Sequence, residues 1–254
     1  DSTLPRLACL DDQIWVVWQD DRDGASDIRL NRSADAGATW LGADQRLDTD
    51  SPGTTDSLRP RIAASPAVVA VAWADDRDGA YDIRANASTD GGLAFLAADR
   101  RVETDAPGED DSTRPDVAVH GDRIHVVWED ERFGLPNVFH NVSLDAGASW
   151  GLVDGRVNTG GPGAARAIQP VVVATSAAVH VAWADDREGG FDVLVSRSDD
   201  HGATWQDPEV RTNTDLEPGA DALAPSLVVT GDEARVVWYD DRHGGTDIFF
   251  NRTD

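Results

Sequence analysis

The strongest constraint on this chain is an internal repeat of 55 residues that runs without insertion or deletion. Trp18, Trp73, Trp128, Trp183 and Trp238 keep that interval, as do Pro5, Pro60, Pro115, Pro170 and Pro225. Gly24, Gly79, Gly134, Gly189 and Gly244 keep it too. A fixed period of this length means one supersecondary unit stacked on copies of itself, each burying the face its neighbour presents. The copies fall at residues 1–55, 56–110, 111–165, 166–220 and 221–254, and the expectation is a single domain over 1–254 with an incomplete fifth copy.

Each copy reads as strands, with no helical period anywhere. Strand A follows the repeated proline, as in "RLACL" and "DVAVH". Strand B is "IWVVW", "VAVAW", "IHVVW", "VHVAW" and "ARVVW", apolar on both alternating faces. A strand buried on both faces belongs to a sheet sandwiched between other sheets. Gly121–Asp122 and Gly231–Asp232 suit tight hairpin turns between A and B. Strand C opens at Asp27, Asp82, Asn137, Asp192 and Asp247, and strand D fits "QRLDT", "RRVET", "GRVNT" and "VRTNT". Four antiparallel strands, repeated, with both sheet faces covered, make a propeller blade. The expected fold is therefore an all-β, five-repeat β-propeller with four-stranded antiparallel blades, the last of them incomplete. A β-helix is the alternative, but its coils are normally shorter.

Charge narrows the partners. The chain carries a formal net charge of −25 and contains no lysine, so its surface repels nucleic acid and anionic lipid. No apolar run approaches the ~18 residues of a membrane-spanning helix, so membrane insertion is not expected. The chain opens on Asp1 without Met, as a processed or trimmed product would. The single cysteine, Cys9, rules out an internal disulfide. His120, His125, His140 and His180 have no metal-ligand spacing among them. Asn31, Asn86, Asn141 and Asn251 begin N-x-[ST] sequons, which the repeat itself explains.

A second motif stands between strands C and D: "SADAGATW" from Ser33, "STDGGLAF" from Ser88, "SLDAGASW" from Ser143 and "SDDHGATW" from Ser198. It resembles the Asp box, S-x-D-x-G-x-T-W, of sialidase-like propellers built from bacterial neuraminidase repeats. The resemblance covers nearly the whole chain and implies hairpin turns on the rim, away from the active-site face. The residues suit that role. Asp35, Asp90, Asp145 and Asp200 can accept backbone N–H bonds within a turn. Gly37, Gly92, Gly147 and Gly202 allow positive φ. Trp40, Phe95, Trp150 and Trp205 pin the turn to its blade. The resemblance also implies an arginine triad for a substrate carboxylate, a Tyr–Glu nucleophile pair and an Asp acid/base. Only Tyr81 and Tyr239 are present, "RPRIA" at 59–63 is a loose echo of the family's opening signature, and sialidases commonly have six blades. The catalytic set is therefore not carried over.

The phrase D-D-R closes strand B in every copy. Its arginines are Arg22, Arg77, Arg132, Arg187 and Arg242, and each follows Asp21, Asp76, Glu131, Asp186 or Asp241. One reading makes these residues a brace, with each planar guanidinium bonding a carboxylate of its own or the adjacent loop. The other makes the five loops one binding face for a glycan or a partner protein. Ca2+ is a further alternative that the acidic loops allow, although an arginine in every loop opposes it; no other cofactor is expected. Near-equivalent copies offer no set of distinct catalytic roles. The functional expectation is thus a non-enzymatic extracellular or cell-surface module for binding, adhesion or assembly, with a sialidase-like glycoside hydrolase as the alternative. The strand at 247–252, apolar through Phe249 and Phe250, is the expected contact for a homo-oligomer or filament.

Overall fold

The computed structural model describes residues 1–214 and 219–253; Asp254, the end of the fifth repeat, and 215–218 at the end of the fourth lie outside them. The described residues fold into strands alone, in five antiparallel sheets of consecutive strands. The first sheet holds β1 (Ser2–Leu10), β2 (Gln13–Asp20), β3 (Asp27–Ser33) and β4 (Gln45–Arg46). The second holds β5 (Ser57–Ala64), β6 (Val69–Asp75), β7 (Asp82–Ser88) and β8 (Arg100–Arg101). The third holds β9 (Ser112–His120), β10 (Arg123–Asp130), β11 (Asn137–Ser143) and β12 (Gly155–Arg156). The fourth holds β13 (Ala167–Ala174), β14 (Val179–Asp185), β15 (Asp192–Ser198) and β16 (Val210–Arg211). The fifth has three strands, β17 (Ala222–Thr230), β18 (Glu233–Asp240) and β19 (Asp247–Arg252). Among the described residues no helix is long and apolar enough to cross a membrane.

Two boundaries differ from the sequence reading, each for a physical reason. The first strand of each sheet begins before the repeated proline, not after it. Proline has no N–H to give to a ladder, and the pairing register breaks around it, between Thr3 and Arg6 in β1 and between Leu58 and Arg61 in β5. The residue before each proline, Leu4, Arg59, Arg114, Gln169 or Ala224, has φ between +49° and +57°. The fourth strand is only two residues long. After Arg46, Leu47 N–H still donates to Ile28 O (2.9 Å), but Ile28 N–H donates to Asp48 Oδ1 (2.7 Å). A side chain takes the place of the next backbone carbonyl, and the ladder stops. Glu103, Asn158 and Asn213 do the same for Ile83, Val138 and Val193.

Contacts divide the chain into two compact units, one of Asp1–Val126 with Asn141–Val153, the other of Val127–His140 with Asp154–Asp254. In the first, Trp15, Val17, Ile28, Leu30 and Leu47 of the first sheet pack against Val69, Val71 and Trp73 of the second. In the second, Ala182, Val193 and Val195 pack against Ala234, Val236 and Trp238. Trp73, Trp128, Trp183 and Trp238 are buried as strand B requires, whereas Trp18 is only half-buried. It lies on the face of the first sheet opposite Trp15 and Val17, the face that the second sheet does not cover.

Candidate functional site

The D-D-R phrases form closed braces. The first aspartate of each, Asp20, Asp75, Asp130, Asp185 or Asp240, is buried at the end of strand B. Arg77 shows the pattern: its Nε and Nη2 each donate to Asp75 at 2.6 Å, and Trp73 Nε1 donates to the same carboxylate at 3.1 Å. Arg22, Arg132, Arg187 and Arg242 grip Asp20, Asp130, Asp185 and Asp240 in the same bidentate way. Burial raises the pKa of Asp75, but the Arg77 hydrogen bonds outweigh it and hold the group below its ordinary range. Each arginine of the first four repeats also reaches a second acid, Asp44, Asp99, Asp154 or Glu209. Asp99 in turn accepts Thr49 N–H (2.7 Å) from the preceding repeat, and Glu209 accepts Thr159 N–H. The second acid of the phrase ties the start of strand A to the end of strand B. Asp76 accepts Asp56 N–H (2.7 Å), Asp186 accepts Arg166 N–H (2.7 Å), and Asp241 accepts Asp221 N–H (2.9 Å). Asp21 takes the chain's amino terminus, and Glu131 O accepts Gly134 N–H (2.6 Å).

The S-x-D-x-G turns are closed in the same sense. Ser33 Oγ donates to Asp35 Oδ1 (2.7 Å) and accepts Gly37 N–H (2.9 Å), while Asp35 accepts Thr39 N–H (2.7 Å) and its hydroxyl (2.6 Å). The Thr39 bonds hold the Asp35 carboxyl down at about 2, and Thr204 holds Asp200 at about 2. Asp90 and Asp145 accept the N–H of Ala94 and Ser149 in the same way. Gly37, Gly92, Gly147 and Gly202 all have positive φ. Gly92 has a second constraint: a Cβ there would sit 2.6 Å from Trp15 Nε1. Phe95 packs on the first sheet's core, Trp205 meets His140 edge-on at 5.2 Å, Trp150 lines a cleft, and Trp40 is exposed.

Among the described residues two carboxyl trios have metal-ligand proximity, Asp27–Asp48–Asp50 and Asp82–Glu103–Asp105, with ligand atoms within 4.8 Å of one another. Neither belongs to a D-D-R loop, where the sequence allowed Ca2+. An arginine already stands in the first trio: Arg46 Nη1 donates to Asp48 (2.6 Å), Asp50 (3.1 Å) and Asp27 (3.2 Å). Arg101 likewise donates to Asp82 (2.9 Å) and Asp105. Burial and the neighbouring Asp50 push Asp48 up to about 8, and burial pushes Glu103 to about 8. Glu103 lines an open cleft of about 470 Å³ with Arg100, Arg101, Trp150 and Leu152. A raised carboxyl in a cleft suggests a general acid. Here, however, both Glu103 oxygens are taken, by Ile83 N–H and Ser112 Oγ, and Asn158 and Asn213 do equivalent work without any acid. The trios are structural.

The candidate site lies instead where the repeats disagree. In the first compact unit β1 adjoins β5, and β5 adjoins β9. At one repeat position these strands carry Arg6, Arg61 and Asp116; at the strained position before proline they carry Leu4, Arg59 and Arg114. Arg61 Nε lies 3.5 Å from Asp116 Oδ1. Burial lowers the Arg61 pKa against the pull of Asp116, and the nearby charges of Arg6 and Arg59 press it the same way as burial. Arg6 and Arg59 are exposed, and Gln19 Oε1 accepts Arg59 N–H (3.0 Å). Arg61, with the charges of Arg6 and Arg59 near it, faces Asp116, and Arg114 stands two residues before Asp116 on the same strand; guanidinium groups gathered in this way on a chain of net charge −25 suit a carboxylate or another planar anion. In the second compact unit Glu129 stands where Gln19 stands in the first repeat and accepts Gln169 N–H (2.7 Å). What the repeats share hides this cluster; its signal in the sequence is equal positions filled unequally.

No protein-family model matches the chain, and no curated protein matches it in sequence. Solved structures do match in fold. The α-L-arabinofuranosidase of Fusarium graminearum is 14% identical with a TM-score of 0.58, over 95% of this chain and 71% of its own. A Hadza microbial sialidase is 15% identical with a TM-score of 0.59, over 99% of this chain and 56% of its own. The Trypanosoma rangeli sialidase is 11% identical with a TM-score of 0.56, over 99% and 54%. The chain thus spans just over half the length of these two sialidases. Its fold is the sialidase-like β-propeller. The same comparison overturns the expectation of a non-enzymatic binding, adhesion or assembly module, since the matching propellers are glycoside hydrolases. The physical basis of that expectation, near-equivalence of the repeats, fails at Arg6, Arg61 and Asp116.

Proposed function

We propose that the chain is a sialidase-like glycoside hydrolase acting on a glycan that bears an anionic group, which Arg6, Arg59, Arg61 and Arg114 receive. The observation that carries the reading is the clustering of arginine on the first strands of three successive sheets in a strongly acidic protein. Asp116 takes a proton-transfer role: at its repeat position the other residues are Arg6, Arg61, Val171 and Ser226, so it is singular, as an acid/base must be. The Ser33–Trp40 turn and its copies support the Asp-box resemblance, and an extracellular or cell-surface location suits a glycan substrate. The D-D-R arginines hold the scaffold in this reading and do not touch substrate.

The test is a panel of chromogenic glycosides comprising a sialoside, a uronide and a neutral α-L-arabinofuranoside. The anionic substrates should be hydrolysed in preference to the neutral one. Arg61→Ala should raise KM on the anionic substrates, and Asp116→Asn should lower kcat by about 10²-fold or more. Equal or exclusive turnover of the neutral glycoside would remove the role given to the arginines, and no turnover of any of them would remove the hydrolase.

A further inference from the structure

One junction recurs between successive sheets. In the first compact unit Trp15 Nε1 donates to Gly91 O (2.8 Å), Gln45 Nε2 to Gly92 O (2.9 Å) and Asn86 Nδ2 to Leu47 O (2.9 Å). One repeat on, Asn141 Nδ2 donates to Val102 O (2.9 Å), and in the second compact unit Asn251 Nδ2 donates to Thr212 O (2.7 Å). Each sheet therefore has a receiving face and a leading face. The receiving face of the first sheet carries Trp15, Val17, Ile28 and Leu30, and the leading face of the second brings Ile62, Val71, Trp73 and Phe95 onto it.

Two of these faces lie open. On the fifth sheet Ile248 and Phe250 occupy the positions of Ile28 and Leu30 on the receiving face. Ile28 and its equivalents Ile83, Val138 and Val193 are wholly buried, but Ile248 is 76% exposed and Phe250 61%. On the first sheet Leu7 and Trp40 occupy the positions of Ile62 and Phe95 on the leading face, and they are 64% and 44% exposed. Open apolar patches of this kind mark association surfaces.

We propose that the leading face of β1–β4 in one copy of this chain docks on the receiving face of β17–β19 in another. The occupant is argued from the chain itself. In the first compact unit a leading face already seats on a receiving face, and the two open faces occupy the same repeat positions, with Val237, Ile248 and Phe250 for Val17, Ile28 and Leu30, Arg235 in place of Trp15, and no described fourth strand to stand for Gln45 and Leu47. The pair is not self-complementary, so the contact is head-to-tail and propagates until it closes into a ring or is capped. At −25 per copy, like charge opposes the approach, so added salt should strengthen it.

Sedimentation velocity on the 254-residue chain tests this, with variants Leu7→Asp and Ile248→Asp. Both side chains are exposed, so circular dichroism and melting should be unchanged; Trp40→Asp and Phe250→Asp replace either variant if it fails to fold. The unaltered chain should associate with rising concentration, more so in salt. Each variant alone should stay monomeric, because one face of every possible pair carries a buried charge. Mixed, the two variants should form a dimer and nothing larger, since the sound face of each meets the sound face of the other. A chain that is monomeric at every concentration overturns the proposal. So does a mixture that stays monomeric while the unaltered chain associates, which would place like faces together.

Discussion

The corner between strands C and D is built in two ways in this molecule. In the first two repeats it holds three carboxyls and an arginine: Asp27, Asp48 and Asp50 with Arg46, then Asp82, Glu103 and Asp105 with Arg101. In the third repeat the same positions are Asn137, Asn158 and Gly160, and Arg156 donates to Asn137 Oδ1 (3.3 Å) and to Gly160 O. The backbone does not register the change, for Ile28 N–H meets Asp48 as Val138 N–H meets Asn158. The amide form is complete in itself, since Asn158 Nδ2 donates to Asn137 Oδ1 (3.2 Å). The acidic form crowds buried carboxyls together, so Asp48 and Glu103 hold a proton that the amide corner does not need, and a cation offsets the remaining charge. The two corners share geometry and differ in what they require from pH and from arginine.

The largest consequence falls on the arginines. Arg46→Gln strands three carboxyls around a buried space, and its loss should cost about 3–5 kcal/mol. Arg156→Gln loses only bonds to neutral oxygens and should cost about 1 kcal/mol. Urea denaturation of the two variants checks the ratio; equal losses would mean that the corners are not electrostatically different. Next in size are Asp48→Asn and Glu103→Gln, which convert the acidic corner towards the amide one. Folded, these carboxyls keep their protons up to about pH 8; unfolded, they lose them near pH 4. The unfolded state binds fewer protons between those limits, so stability falls as pH rises across the window and the penalty is full above it. Each substitution should therefore stabilise by about 2–4 kcal/mol at pH 8 and by almost nothing at pH 4. A gain that does not vary with pH would show that the carboxyls are ionised throughout. The smallest effect concerns Ca2+. Because Arg46 Nη1 lies within 3.2 Å of all three carboxyls, millimolar Ca2+ should leave the melting temperature unchanged. A clear rise that Asp50→Asn abolishes would mean that the ion displaces the guanidinium.

Much of the fold was legible because the repeat supplies several independent readings of every position. Strand C begins at the Asp27-type residue as the repeat predicts, and strand B contains the apolar run "IWVVW" and its copies but continues two residues beyond it, to Asp20 and its equivalents. The short fourth strand was not legible, because nothing in "QRLDT" shows that the Asp48 side chain will replace a backbone acceptor. In the repeat Trp18 is equivalent to Trp73, but burial depends on which neighbour covers a face, and the local pattern does not hold that. The braces were half legible. The bond from Arg22 to Asp20 follows from adjacency in sequence, while the acids at 44, 99, 154 and 209 recur at the same interval with no adjacency to tie them to the arginines. The arginine cluster shows in difference, not likeness, since Arg6 and Arg61 share one repeat position with Asp116, a residue of opposite charge.

The left-handed residue before each repeated proline has an evolutionary consequence. Leu4, Arg59, Arg114, Gln169 and Ala224 have φ near +50° at every copy, and Leu4, Arg59, Gln169 and Ala224 stand at breaks in strand pairing. Such a backbone costs on the order of 1–3 kcal/mol wherever it occurs, and the proline beside it fixes the break whatever side chain precedes it. Leucine, arginine, glutamine and alanine have each been accepted there. A lineage that arose by copying one module would find in this kink a socket insulated from the scaffold, where each copy could drift to its own chemistry while the surrounding strands remained duplicates.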